Sequence, residues 1–297
     1  MFTTPDGVFR VLSPAGMDDW QALAESPLWR ELQEEGHVVA TEPADLGAVP
    51  DLLAGEGGGG LHHQPMPFVS YPYEWPFSML KDAALLQLEL NQRALRAGLA
   101  LKDATPYNVQ WRGTRPVFID IGSFERLRPG EPWAGYRQFC TLFLYPLMLQ
   151  AYKDLPFHGA LRGSLEGIAP RDARALLAGE RFRKGVVSNV LLHARLESRY
   201  AGADGREVKR EMRSAGFSAE LLAANFRKLE KLVRSLEWKS GETAWTGYGE
   251  HNTYDDAAAA SKAEFVREVG ARRRVRLAWV VGCDDGAYAR VEGESAA

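Results

Sequence analysis

The chain has 297 residues, a net charge of −3 and 45% hydrophobic residues, which is typical of a globular protein of one or two domains. This charge gives no electrostatic reason to expect nucleic acid or an anionic membrane as a partner. Cys140 and Cys283 lie far apart, without disulfide-framework or metal-site spacing, which predicts a cytoplasmic protein. The N-terminus lacks the features of a signal peptide, and the longest apolar stretch, 140–149, is shorter than the roughly 20 residues of a membrane span.

The N-terminal region predicts two strands and one helix. A short strand over 8–12 ends at Ser13-Pro14, and apolar residues at helical spacing predict a single helix over 16–35. Gly36 suits the C-cap position of that helix, and 37–41 predicts the second strand.

Two irregular segments follow. Prolines and glycines over 43–66 predict a loop or mobile insert that exposes His62 and His63. The three prolines and five aromatics of 67–77 predict an extended connector. The aromatics either lock this connector against the core, which is the favoured interpretation, or form a ligand-stacking surface that includes Tyr73.

The rest of the chain is mainly helical. A stripe of apolar residues predicts a helix over 78–97, stopped by Gly98. The stretch 99–125 predicts a loop, then a strand over 109–111, a turn and a strand over 116–119. The further expected elements are helices at about 134–153, 170–178, 181–200, 205–214 and 218–237, a linker over 238–256, a helix over 257–270 and a strand over 275–283.

Residues 101–125 carry the most informative chemistry. Asp103 and Asn108 have the spacing D-x-x-x-x-N, and Asp120 ends an apolar run twelve residues further on. Phosphoryl transfer needs a base or positioner for the acceptor hydroxyl and oxygen ligands for magnesium. This pattern predicts Asp103 as the base and Asn108 and Asp120 as metal ligands, with a hairpin that returns Asp120 beside Asn108.

In this arrangement the segment resembles the C-lobe of protein kinases and of aminoglycoside and choline phosphotransferases. Two positions depart from that pattern: Leu101 stands where a catalytic-loop His is usual, and Ile121 replaces the Phe after the metal Asp. The alternative is that Asp and Asn merely cap ordinary turns.

The N-terminal region lacks the lysine that a kinase uses to hold the α- and β-phosphates. Residues 1–80 contain no lysine. The basic side chains of this region that could substitute are Arg10, Arg30, His37, His62 and His63. Arg10, on the first strand, is the best candidate, and Lys102 is a further candidate from the C-lobe side. The glycines of 55–60 lack the G-x-G-x-x-G spacing. Either the nucleotide is bound in an unusual way, or the module has a kinase shape without kinase activity.

The strand predicted near the C-terminus runs into Gly282-Cys283-Asp284-Asp285-Gly286. A hydrophobic strand that ends in G-x-x-x-G is typical of the first turn of S-adenosylmethionine (SAM) methyltransferases, where glycines let the backbone approach the cofactor. Gly282, Asp284 and Gly286 are the residues of this motif.

Four segments together resemble bacterial SAM-dependent methyltransferases related to nodulation proteins. They are SYPYEWPFSMLKDAALL, LKDATPYNVQ, PVFIDIGSFE and WAGYRQFCTLFLYPL. The resemblance implies a kinase-like region followed by a methyltransferase domain that binds SAM. Val280 and Val281 depart from the acidic W-D-L-G-C pattern, and about 25 residues of that domain are expected here, so the chain is expected to be truncated and to transfer no methyl group alone.

The resulting fold prediction is α+β: a protein-kinase-like domain with a reduced N-lobe and a mainly helical C-lobe, followed by the first strand of an incomplete Rossmann-like domain. Its boundaries are 1–237 for the kinase-like domain (N-lobe about 1–75, C-lobe about 76–237), 238–270 for a linker and helix, and 271–297 for the start of the methyltransferase domain. The expected function is that of the family's accessory module, which binds or positions a small-molecule substrate or a nucleotide. The alternatives are a phosphotransferase that uses magnesium and ATP, and a non-catalytic interaction module.

Overall fold

The computed structural model describes residues 1–4, 7–44, 58–195, 218–239, 241, 255–272, 280 and 286–295. The chain combines helices and strands and divides into two compact units, Met1–Trp238 and Lys239–Ala297. Within the described ranges, no helix has the length and apolar character needed to cross a membrane.

Four strands near the N-terminus form one antiparallel sheet in the order β1-β2-β4-β3. They are β1 Phe2–Thr4, β2 Gly7–Leu12, β3 Thr41–Ala44 and β4 Gly59–His63. The predicted strand over 8–12 is therefore confirmed. In the register between the two central strands, Arg10 lies opposite Leu61 and Val8 lies opposite His63.

The prediction that 43–66 is a loop or insert is wrong at both of its ends. Thr41–Ala44 and Gly59–His63 are paired strands, and 45–57 lies outside the described residues. β4 contains one aliphatic residue, Leu61, so its sequence carries no strand signal. Its backbone groups are instead satisfied by neighbours on both sides. His63, predicted to be exposed, is buried with 4% of its surface accessible.

The strand predicted over 37–41 is displaced towards the C-terminus. Val38 makes only an isolated parallel bridge with Phe118, and the Val39 N–H donates to the Phe118 carbonyl over 2.9 Å. Regular pairing with β4 begins at Thr41. Val38 and Val39 are both buried, so the apolar pattern marked core residues rather than the strand itself.

The helix predicted over 16–35 is two helices, α1 Pro14–Ala24 and α2 Pro27–Glu34. Pro27 cannot donate a backbone hydrogen bond to the preceding turn, and it occupies a first-turn position where that donor is not needed. Trp20 and Trp29 pack edge to face across the break, with ring centroids 5.0 Å apart. Gly36 follows α2 with a φ of +72°, as predicted for its C-terminus.

The long helix α3 Phe77–Arg96 confirms the prediction for 78–97. Leu80, Ala83, Leu90 and Ala94 are buried along its inner side. Gly98 follows with a φ of +73°, which suits a residue without a side chain.

Two small sheets follow α3. Strand β5 Leu99–Leu101 pairs with β8 Phe124–Arg126, and β6 Val109–Arg112 pairs with β7 Arg115–Phe118. The β6–β7 hairpin turns at Gly113, whose φ is +61°. The predicted strand, turn and strand of the hairpin are therefore present, whereas β5 lies in the stretch that was predicted to be a loop.

The helical segments of the first unit after residue 130 contribute a buried aromatic cluster that includes Phe139, Phe143 and Tyr145. These segments include α4 Tyr136–Phe139, a π-helical segment Cys140–Leu144, α5 Tyr145–Lys153, α6 His158–Gly163, α7 Pro170–Leu177, a second π-helical segment Val186–Leu191 and α8 Ala219–Ser235. The predicted helix over 205–214 lies outside the described residues.

The second unit contains the predicted helix over 257–270 as α9 Asp256–Ala271, followed by α10 Ala287–Ser295. The ammonium group of Lys262 lies 4.3 Å from the ring centroid of Tyr288. Of the strand predicted over 275–283, only Val280 is described.

Candidate ligand-binding site

The β6–β7 hairpin brings the predicted metal ligands together. The Ile119 N–H donates to the Asn108 carbonyl over 2.8 Å and extends the hairpin by one bond. Asp120 then begins the 3-10 turn Ile121–Ser123. The amide nitrogen of Asn108 donates to Asp120 Oδ2 over 3.3 Å, so the hairpin returns Asp120 beside Asn108 as its length predicted.

Arg10 reaches this site from the sheet. Its Nη1 donates to Asp120 Oδ1 in an ion pair in which the Arg10 side chain is 26% and the Asp120 side chain 17% exposed. Arg10 was predicted as the substitute for the missing lysine, and Asp120 was predicted as a metal ligand at the end of the hairpin. The structure brings these two side chains into contact although they lie 110 residues apart in the chain. We call Arg10, Asp103, Asn108 and Asp120 the Asp120 cluster.

Gly122 makes room for the guanidinium of Arg10. A Cβ atom at this position would collide with Arg10 Nη1 and would lie 3.6 Å from Asp120 Oδ1. Gly122 matches the glycine of the kinase pattern, and in this chain the absence of a side chain there allows Arg10 to pack against the turn.

Replacing Gly122 by alanine is expected to displace Arg10 and to lower the free energy of unfolding by about 1–2 kcal/mol. In an Arg10→Ala background the same change should cost at least about 0.5 kcal/mol less, because the colliding group is gone. Urea unfolding of the wild type, both single variants and the double variant measures this coupling. Additive costs would contradict the predicted collision.

Asp103 lies within electrostatic reach of this ion pair. Burial, and then the charge of Asp120, raise the pKa of its carboxyl group, while Lys102 and Arg10 oppose the shift. A carboxyl group with a raised pKa is better suited to accept a proton from a substrate hydroxyl than an ordinary aspartate.

The loop that carries Asp103 is held by polar side chains that sequence reasoning missed. The Asp103 N–H donates to Ser123 Oγ over 3.1 Å, and the Asp103 carbonyl accepts from the buried amide of Gln87 over 3.2 Å. The next N–H, of Ala104, donates to Gln138 Oε1 over 2.6 Å. These hydrogen bonds from side chains satisfy backbone groups of the loop and hold it in place.

His63 was named from the sequence as one of the N-terminal basic residues but was predicted to be exposed, whereas the structure buries it. Its Nδ1 lies 2.8 Å from Thr41 Oγ1. Burial and the charge of Arg10 lower its pKa to about 4; Asp120 opposes this shift and His62 adds to it. His63 is therefore neutral at pH 7. The alternation of Leu61 and His63 towards one face of β4 was the one available signal, and it spans too few residues to predict a strand.

The remaining predicted site residues are Lys102, Tyr73 and the three residues of the glycine motif near the C-terminus. Lys102 is exposed beside Asp103. Tyr73 lies on the connector and stacks on Tyr71, with ring centroids 5.4 Å apart. Gly282 and Asp284 lie outside the described residues, and Gly286 precedes α10 with a φ of +78°.

A magnesium ion does not fit the Asp120 cluster as it stands. Asp120 Oδ1 already accepts from a guanidinium, and Oδ2 accepts from the amide of Asn108. Mg²⁺ requires near-octahedral oxygen ligands at about 2.0–2.1 Å. A guanidinium in contact with the carboxylate blocks that approach and repels a divalent cation.

A second group with ligand chemistry contains Glu35, His37 and Glu89, whose ligand atoms lie within 4.8 Å of one another. Arg93 already contacts this group. It pairs with Glu35, and its Nη1 lies 3.6 Å from Glu89 Oε1. The arrangement is therefore an ion-pair network that joins α2 to α3.

The fold combines helices and strands. In its site, Arg10 from the N-terminal sheet pairs with Asp120, which follows the β6–β7 hairpin. Over an alignment of 299 residues, which covers the whole chain, this protein is 32% identical to the nodulation protein NoeA of Rhizobium meliloti (strain 1021). The chain spans 62% of the length of that relative. No family model matches the chain, and no solved structure matches it.

Proposed function

We propose that the chain is the kinase-like part of a nodulation-related protein of the SAM-dependent methyltransferase family. In this proposal the Asp120 cluster binds and positions a phosphate-bearing ligand, such as a nucleotide, and does not transfer its phosphoryl group. Similarity to NoeA over the whole chain supports the family. We assign SAM binding and methyl transfer to the methyltransferase domain of such proteins. We also propose that the present chain is cytoplasmic.

The observation that carries the ligand proposal is the contact between Arg10 and Asp120. A guanidinium has five N–H donors in a planar fork, and it binds phosphate through two parallel hydrogen bonds. Asp120 takes the donor Nη1 and fixes the orientation of the group. Arg10 is thereby held in place before a ligand arrives, which reduces the entropy lost on binding.

Phosphoryl transfer from magnesium ATP is the second candidate function. The raised pKa of Asp103 and its place five residues before Asn108 favour it. The ion pair at Asp120 opposes it, because this carboxylate would have to leave Arg10 to coordinate magnesium. The third candidate, an interaction module, predicts no nucleotide binding at all.

Calorimetric titration of the full chain with ATP and with ADP distinguishes these candidates. Arg10→Ala is expected to weaken nucleotide binding at least about tenfold, which is about 1.4 kcal/mol. Arg30→Ala is the matched control, since Arg30 is the other arginine among the first 80 residues and is exposed on α2. It should leave the affinity unchanged.

Other outcomes would point to the other candidates. ATP hydrolysis that requires magnesium and disappears in Asp120→Ala would favour the phosphotransferase. The absence of heat with both nucleotides would leave the interaction module. A parallel titration with SAM tests the assignment of methyl transfer, because binding by this chain would contradict it.

A further inference from the structure

The Asp120 cluster contains two carboxylates, those of Asp103 and Asp120, and one cation, Arg10, which pairs with Asp120. Lys102 lies beside Asp103 outside the cluster, and both Lys102 and Arg10 oppose the raised pKa of Asp103. In a phosphoryl-transfer site such carboxylates face magnesium ions, which provide the positive charge that holds the phosphates. Here the protein provides that charge.

The position of Arg10 also removes the ligand atoms that a metal would use. Its Nη1 contacts one oxygen of Asp120, and the Asn108 amide nitrogen contacts the other. The carboxylate is thus an acceptor on both oxygens within the chain, whereas a magnesium site keeps oxygens directed at the ion.

Three features of the fold seat the guanidinium at this point. β2 pairs with β4 from Val8 to Leu12, which fixes the backbone of Arg10 opposite Leu61. Gly122 leaves the volume that Nη1 fills. His63, buried on the same sheet, stays neutral at pH 7 and adds no competing positive charge.

We propose that Arg10 is a built-in cation that takes the place of the divalent metal at Asp120, so that the site holds the phosphates of its ligand through the guanidinium and without a metal ion. This inference rests on the proposed binding function for its ligand class. The exclusion of metal is a separate property, and it is measured without any nucleotide.

The test is Mn²⁺ binding by the full chain, followed through the electron paramagnetic resonance signal of free Mn²⁺. The wild type should show no site that depends on Asp120. Arg10→Gln removes the cation, frees Asp120 Oδ1 and should bind Mn²⁺ at least tenfold more tightly than the wild type. The double variant Arg10→Gln with Asp120→Asn should lose this gain. Arg30→Gln is the control for loss of one positive charge elsewhere.

Dependence on Asp120 separates this site from any binding at Glu35, His37 and Glu89, because those residues are unchanged in the double variant. Mn²⁺ binding by the wild type that disappears in Asp120→Asn would overturn the inference. A folded Arg10→Gln protein that gains no Mn²⁺ site would also overturn it, since Arg10 would then not be what keeps the metal out. If thermal melting shows that Arg10→Gln is unfolded, Gly122→Ala displaces the guanidinium and takes its place in the test.

Nucleotide titrations supply an independent readout of the same inference. The affinity for ATP should be equal within a factor of two in EDTA and in excess magnesium. A requirement for magnesium would contradict the built-in cation while leaving nucleotide binding in place. Absence of nucleotide binding would contradict the proposed function and leave the Mn²⁺ result to decide the role of Arg10.

Discussion

Replacing Trp75 by alanine is expected to lower the free energy of unfolding by about 3–5 kcal/mol, the usual cost of removing a large buried aromatic side chain. Only 1% of the surface of Trp75 is accessible. Its ring packs edge to face on Trp111, with centroids 5.6 Å apart. Its indole N–H donates to Ser70 Oγ over 2.8 Å, so the substitution also removes a hydrogen bond.

The loss should spread beyond the cavity because Ser70 links the connector to strand β6. The Ser70 N–H donates to Gln110 Oε1, and the Gln110 amide donates back to the Ser70 carbonyl, each over 3.0 Å. The side-chain amide of Gln110 thus bonds to both backbone groups of Ser70, as a neighbouring strand would. Trp75 therefore locks the connector against the core as predicted, whereas Tyr71 is exposed.

Tyr71→Ala is the matched control on the same connector. Tyr71 is 45% exposed and stacks on Tyr73, so its removal should cost no more than about 1 kcal/mol. Urea unfolding followed by circular dichroism gives both values. Equal costs for Trp75→Ala and Tyr71→Ala would show that the connector is not packed as described.

Lowering the pH from 7 towards 4 is expected to destabilise the folded protein by about 3 kcal/mol through His63 alone. Burial and the neighbouring Arg10 lower the pKa of His63 from 6.5 to about 4 in the folded state. Between these two pH values the unfolded chain binds a proton that the folded chain does not. The stability contributed by neutral His63 is therefore complete above pH 6.5 and is lost as the pH falls to about 4.

The groups that face His63 explain why this site resists protonation. Arg10 lies on β2, the next strand, and His62 is its neighbour on β4. Thr41 on β3 contacts the ring through an uncharged hydroxyl. The charge of Asp120 favours the imidazolium, and Arg10 already pairs with Asp120.

His63→Gln isolates this effect from the other titrating groups. Glutamine keeps a polar contact for Thr41 and does not titrate. The difference in unfolding free energy between pH 7 and pH 4.5 should become smaller by about 2–3 kcal/mol in the variant, as measured by guanidinium unfolding at each pH. An unchanged pH dependence would contradict the burial of a neutral His63.

Local patterns determined the elements whose stability is mostly local. The apolar stripe and Gly98 predicted α3 within a residue of its start and end, since a helix buries one face at a fixed period. The spacing of Asp103, Asn108 and Asp120 predicted a hairpin, because the turn at Gly113 fixes which residues lie opposite one another. The kinase-like identity of this fold and the roles of these residues in catalysis remain predictions.

Tertiary structure alone decided the sheet and its contact with the site. Strand β4 has almost no strand signal, and it exists because β2 and β3 satisfy its backbone on both sides. Sequence reasoning named Arg10 and Asp120 separately and for different reasons. Their contact requires segments 110 residues apart in the chain to come together. Closing such a long loop lowers the entropy of the chain, and only the packing of the complete core offsets this loss. No local pattern records such a contact, which is why the sequence predicted the parts of the site and the tertiary structure joined them.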